Sequence, residues 1–141
     1  MKSNGRYVFD TNVLMSALLF KNSKPGQAFY LALEQGVILL FLPAVMELNE
    51  VLRRKKFERY LLEEERERFM AALITEAIMI EITEYINACS DPKDDMFLEL
   101  AVSGGATCIV SGDEHLLSLS PFRGIPIMKP DEFLISLSSL S

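Results

Sequence analysis

The chain has 141 residues, half of them hydrophobic, with seven glycines, six prolines and a formal net charge of −6. That is enough apolar chain to bury a sizeable core, and too little charge for intrinsic disorder. The acidic balance argues against a general nucleic-acid coat, although acids gathered around bound cations give a nuclease the same sign of charge.

The longest apolar run, Val37 to Leu42 and on to Met46, is too short to span a bilayer, so no membrane association is expected. The segment Met1 to Arg6 has no signal-peptide core, and the expected location is cytoplasmic. Cys89 and Cys108 are then expected to be reduced thiols. With His115 the one histidine, a zinc site of the Cys/His type lacks ligands.

In chain order, Arg6 to Asp10 reads as a short buried strand and Thr11 to Phe20 as a helix. Ser23 or Lys24 before Pro25 is helix-start chemistry, and that helix stops at Gly36 as a C-terminal cap. Val37 to Leu42 is a continuous apolar run, as in a strand buried on both faces. Pro43 opens a helix with Val45, Met46, Leu48, Val51 and Leu52 inward, followed by a shorter helical piece from Phe57 to Leu62. Glu63 to Ala77 is a charged amphipathic helix with Phe69, Met70, Leu73 and Ile74 inward. Met79 to Ile82 reads as a short strand, and Asp94 or Asp95 starts a helix that ends at Gly104-Gly105. Thr107 to Val110 and Ile125 to Met128 are strands, and Asp131 caps a last helix from Glu132 to Leu137. Strands alternating with helices, with no repeat or linker, predict one α/β domain over residues 1–141: a central parallel sheet flanked by helices.

The acids stand out against that frame. Asp10 closes the first strand, Asp113 follows the strand ending at Val110, Asp94 opens the helix before it, and Glu47 interrupts an apolar helix. Strand ends of a parallel sheet share an edge, so these carboxylates converge if the two strands are neighbours. Clustered carboxylates are costly unless a cation is held among them, and hard oxygen ligands suit Mg²⁺ or Mn²⁺. Each acid also has a plainer role open to it. Asp10, Asp94 and Asp95 are good helix caps, Asp113 suits a turn after Gly112, and Glu47 would be a surface residue on a differently phased helix. The basic run Arg53, Arg54, Lys55, Lys56 and Arg59 is either a solvated helix end, an RNA-backbone contact or a partner-binding edge.

Taken in order, Asp10-Thr11-Asn12, Glu47-Leu48, the stretch from Asp91 to Ala101, and Ser111-Gly112-Asp113 resemble the PIN-domain nucleases. The similarity runs from Tyr7 to Leu137 and is greatest to the VapC-like branch, the toxin components of prokaryotic toxin–antitoxin systems. The resemblance implies a PIN-like three-layer sandwich that is commonly dimeric. It further implies a Mg²⁺- or Mn²⁺-dependent endoribonuclease with RNA as substrate and a small antitoxin protein as partner. Carried over by motif, Asp10, Glu47, Asp94 and Asp113 would be the catalytic, metal-binding acids, with Asn12, Ser111 and Asp95 as supporting polar residues. Ser111 stands where the family usually has Thr, and Asp94 is preferred to Asp95 because it lies seven residues before Ala101.

Two rival α/β enzymes fit less well. A haloacid-dehalogenase-type phosphohydrolase needs an Asp at the position of Asn12, and a response-regulator receiver needs a phosphoacceptor Asp between Asp10 and Asp91. The non-enzymatic rival is a catalytically idle PIN-like domain that binds protein or RNA. Idle carboxylates held together repel one another, so the retained acids weigh against it.

Overall fold

Residues 5–138 are described by a computed structural model. The chain runs β1 (Gly5–Phe9), α1 (Thr11–Leu19), α2 (Lys24–Gln35), β2 (Gly36–Leu40), α3 (Leu42–Leu52), α4 (Glu63–Glu76) and β3 (Ile78–Met79). It continues through α5 (Pro92–Gly104), β4 (Cys108–Val110), α6 (Glu114–Leu117), β5 (Ile127–Met128) and α7 (Pro130–Ser138). All pairings are parallel, in the order β3-β2-β1-β4-β5.

Both faces of the sheet are covered, which is why its strands are mostly apolar rather than alternating, with Arg6 in β1 the charged exception. Tyr7, Phe9, Ile38, Leu40 and Val110 pack with residues of α1, α2, α3, α4 and α7. Val8, Leu39 and Ile109 pack on the other face with Leu98, Leu100 and Ala101 of α5 and Leu116 of α6. Edge-on contacts of Phe9 with Phe29 and Phe133, at centroid distances of 5.9 and 5.8 Å, tie β1 to α2 and α7. The result is a three-layer helix–sheet–helix sandwich.

Glycines set two boundaries. Gly36 ends α2 with extended rather than left-handed backbone and passes directly into β2. A Cβ there would lie 2.4 Å from the Gly5 carbonyl oxygen, so the close approach of β1 and β2 requires its absence. Gly105 ends α5 at φ 64°, the left-handed cap for which glycine is the usual residue.

Several elements differ from the sequence expectation. Met46 is 63% exposed and Ile74 47% exposed, although both were expected inward. On α3 the buried stripe is Ala44, Val45, Leu48 and Leu52, and on α4 it is Arg66, Phe69, Met70 and Leu73, each one position out of phase with the exposed residue. The third strand is Ile78–Met79, paired with Leu39 and Leu40 of β2, rather than Met79 to Ile82. In place of a helix over Phe57 to Leu62 there is one 3₁₀ turn, Lys55–Phe57. α5 begins at Pro92 with Asp91 as its N-cap, so neither Asp94 nor Asp95 is the cap. α7 begins at Pro130, which puts Asp131 inside its first turn instead of before it.

Candidate functional site

β1 and β4 are neighbours, with Phe9 paired to Val110, so both chains leave the sheet at the same edge. The Asp10 backbone N–H extends that pairing by donating to the Val110 carbonyl at 3.1 Å. Asp10 is 5% exposed and serves as the N-cap of α1, its Oδ1 accepting from the Val13 N–H at 2.8 Å. Its Oδ2 accepts from the hydroxyl of Ser111, which is itself fully buried. That same hydroxyl accepts from the Asp113 N–H at 3.0 Å, so Ser111 links the two strand-end acids. Asp113 in turn caps α6 through the His115 N–H. Capping and facing the cleft are therefore compatible roles for Asp10 and Asp113.

The acids disturb one another electrostatically. Burial raises the Asp10 carboxyl above its ordinary pKa, and the Asp113 charge adds to the rise. The Ser111 hydroxyl and the Val13 and Gly112 backbone groups offset part of it. Asp94 is raised as well, first by burial, then by the charges of Asp113 and Asp91 and by the nearness of the Asp113 side chain. Neighbouring carboxylates of this kind disfavour one another's charged form, and a cation between them would relieve that repulsion.

Asp10, Glu47, Asp94 and Asp113 line a single cleft of about 320 Å³ between α1, α3 and the start of α5. Arg54 and Lys56 of the basic run line it too, together with Asn12, Asp91 and Lys93. Arg53 instead lines a separate hollow with Glu58, Glu63 and Arg66. Lys55 and Arg59 are exposed and line neither. Lys93 was not singled out from the sequence, where it reads as a single loop cation; only the seating of α5 brings it to the acids. On the far side of Asp10, Asn12 and Asp113 lies a larger hollow of about 590 Å³, rimmed by Lys24 and Lys129.

Asp95 does not join this group. Its carboxylate is buried beneath the preceding coil, where Oδ1 accepts from the N–H groups of Ala88 and Cys89 at 3.0 and 2.8 Å. Burial alone would raise its pKa, but these two N–H groups and the Cys89 thiol hold it below the ordinary value. Asp95, expected as a supporting polar residue, is therefore not part of the cleft lining that Asp94 shares with Asp113.

A hard divalent cation fits the donor chemistry of the cleft, which offers several carboxylate oxygens, two of whose groups, Asp10 and Asp94, are raised in pKa by burial and by neighbouring acids. The fit is in composition more than in closed geometry, since among the described residues no three acidic, histidine or cysteine groups stand in ligating positions.

The family profile described as "PIN domain" matches residues 6–115, a span that holds every one of these acids. The chain belongs to the PIN-domain family. PIN domains are generally nucleases. Within the wider set of relatives, "Uncharacterized protein MJ1680" of Methanocaldococcus jannaschii is 30% identical over 116 residues, covering 81% of this chain and 74% of the relative. Among solved structures, VapBC2 from Rickettsia felis, bound to a DNA fragment from its promoter, aligns with a TM-score of 0.58 at 12% identity. That alignment covers 86% of this chain and 96% of the other. PAE2754 from Pyrobaculum aerophilum aligns with a TM-score of 0.63 at 15% identity, covering 96% and 91%. At such identities the two structures speak to the PIN fold alone. No helix among the described residues is long and apolar enough to cross a membrane.

Proposed function

We propose that the protein is a Mg²⁺- or Mn²⁺-dependent endoribonuclease, a single nuclease domain that acts as the toxin of a toxin–antitoxin pair. The observation that carries this reading is the shared cleft, in which Asp10, Glu47, Asp94 and Asp113 meet the cations Arg54 and Lys56. Asp10, Asp94, Asp113 and Glu47 would hold the ion. When bound, such an ion supplies Lewis acidity, activating water and offsetting charge on the phosphodiester. The chain's own part is to orient and to bind. Ser111 and the Val13 N–H fix the Asp10 carboxylate, and Asp94 is brought to the same cleft as Asp113. Arg54, Lys56 and Lys93 draw the RNA backbone to the acids, and Arg53, Lys55 and Arg59 extend the same positive surface outward.

The structural similarity to VapBC2 supports a small antitoxin as partner. A homodimer acting in the cytoplasm completes the proposal and rests on the sequence alone. The idle binding module has one observation in its favour: among the described residues, no three acidic, histidine or cysteine groups already stand in ligating positions.

Cleavage of a labelled single-stranded RNA and the matching DNA, with Mn²⁺, Mg²⁺ or chelator, decides between them. The nuclease reading expects internal cuts in RNA that chelator abolishes, and a loss of at least two orders of magnitude in Asp10→Asn and Asp94→Asn. RNA binding without metal-dependent cutting would establish the idle module.

A further inference from the structure

Between β3 and α5 the chain runs as an extended strap without regular structure, residues 80–91, and it is fastened to α5 in an unusual way. Three side chains on one face of α5, at successive i, i+4 and i+8 positions, each accept backbone N–H groups from the strap. Ser103 accepts from Thr83 at 3.0 Å, Glu99 from Ile86 at 2.9 Å, and Asp95 from both Ala88 and Cys89. As the strap ascends in number the helix descends, so the two run antiparallel and the Asp95 rung lies nearest the cleft. Ile82, Ile86 and Cys89 pack the strap onto the core alongside these rungs. The strap ends at Asp91, which caps α5 through the Lys93 N–H and lies in the cleft one turn from Asp94.

We propose that Asp95 is a positioning residue for the metal centre: by clamping the strap at Ala88 and Cys89, it sets where Asp91 and the first turn of α5 stand, and so where Asp94 meets Asp113. It acts through shape and hydrogen bonding, with no ligand role of its own. Glu99 and Ser103 hold the same strap further from the acids. The effect on the cleft therefore falls along the ladder from Asp95 to Ser103. Packing of the strap against α5 would by itself predict the opposite pattern, with stability lost at every rung and cation affinity untouched. The inference rests on the metal-centre reading above, and the measurement must separate the two.

Mn²⁺ affinity by calorimetry and melting temperature are measured on the full chain for wild type, Asp94→Asn, Asp95→Asn, Asp95→Ala and Ser103→Ala. Asn offers the same acceptor atom without charge, so Asp95→Asn is expected to bind Mn²⁺ as wild type does. Asp95→Ala loses the clamp and is expected to raise the Kd by about tenfold, the usual scale for residues that orient ligands. Ser103→Ala is expected to lower the melting temperature and leave the Kd unchanged. If Asp95→Ala does not fold, Asp95→Ser, with its shorter acceptor, carries the same expectation of a raised Kd. A Kd unchanged in the Ala or Ser variant, while Asp94→Asn abolishes binding, overturns the positioning role. Loss of Mn²⁺ in Asp95→Asn as severe as in Asp94→Asn would make Asp95 a ligand and also overturn it. If Asp94→Asn binds Mn²⁺ like wild type, the metal-centre reading itself fails, and the positioning proposal falls with it.

Discussion

Replacing Ser111 by Ala removes one oxygen and tests the link between the two strand-end acids. The hydroxyl is fully buried, donates to Asp10 and accepts from the Asp113 N–H. A hydrogen bond to an ionised group contributes about 1.5–3 kcal/mol, whereas one between neutral groups contributes about 1 kcal/mol. Asp113 is only half-buried, so its amide regains water in the variant and adds little. The expected loss is about 2 kcal/mol at neutral pH, or a fall of roughly 6 °C in melting temperature for a domain of this size. The loss also depends on pH, and the sign follows from Asp10. The Ser111 hydroxyl is one of the groups that lower the Asp10 pKa against the rise caused by burial, so its removal raises that pKa further. The difference between wild type and Ser111→Ala should therefore be small where Asp10 is protonated and grow as pH rises through its folded pKa. Urea denaturation in chelator at a series of pH values from about 3.5 to 8 measures this directly. Equal stabilities at neutral pH, or a difference that does not change with pH, would refute the claim that Ser111 holds an ionised Asp10.

The same linkage predicts the behaviour of the wild-type protein. Because Asp10 and Asp94 are raised above their ordinary value of 3.8, their contribution to stability is fully present below that pH and is lost as pH rises through their folded pKa values. Denaturation in chelator, compared with Asp10→Asn to remove the contribution of Asp10, should show this decline; Mn²⁺ at a hundredfold excess over its Kd should add about 2.7 kcal/mol. A melting temperature that saturating Mn²⁺ and Mg²⁺ leave unmoved would argue against a repulsive empty cluster. For the basic run, Arg54→Glu with Lys56→Glu should weaken RNA binding and lower its salt slope by about one per lost phosphate contact. Lys55→Glu with Arg59→Glu should do less, because those side chains line no part of the cleft; equal effects from the two pairs would refute that distinction.

Much of the site could be read without coordinates because its residues sit at places that local chemistry marks. A strand of Tyr7, Val8 and Phe9 ending in Asp10 before a helix, and a second apolar strand ending in Ser111-Gly112-Asp113, put two acids at strand ends. Parallel strands then bring those ends to one edge, as the pairing of β1 with β4 does. Gly104-Gly105 likewise marks the end of α5 because only a residue without a Cβ enters the left-handed region freely. Other choices were beyond local reading. Asp94 and Asp95 are both suited to a first helical turn, yet neighbouring residues project about 100° apart around the axis. The packing of Phe97, Leu98, Leu100 and Ala101 on the sheet set the rotation of α5, sending Asp94 to Asp113 and Asp95 under the strap. The same reason accounts for Met46 and Ile74, each apolar and each turned to solvent by the phase its helix takes. The basic run is divided among the cleft (Arg54, Lys56), a neighbouring hollow (Arg53) and open solvent (Lys55, Arg59), a division that its sequence does not mark. Pattern along the chain determined which residues stand at element ends, whereas helix rotation, which depends on every side chain packed beneath, decided which of them meet.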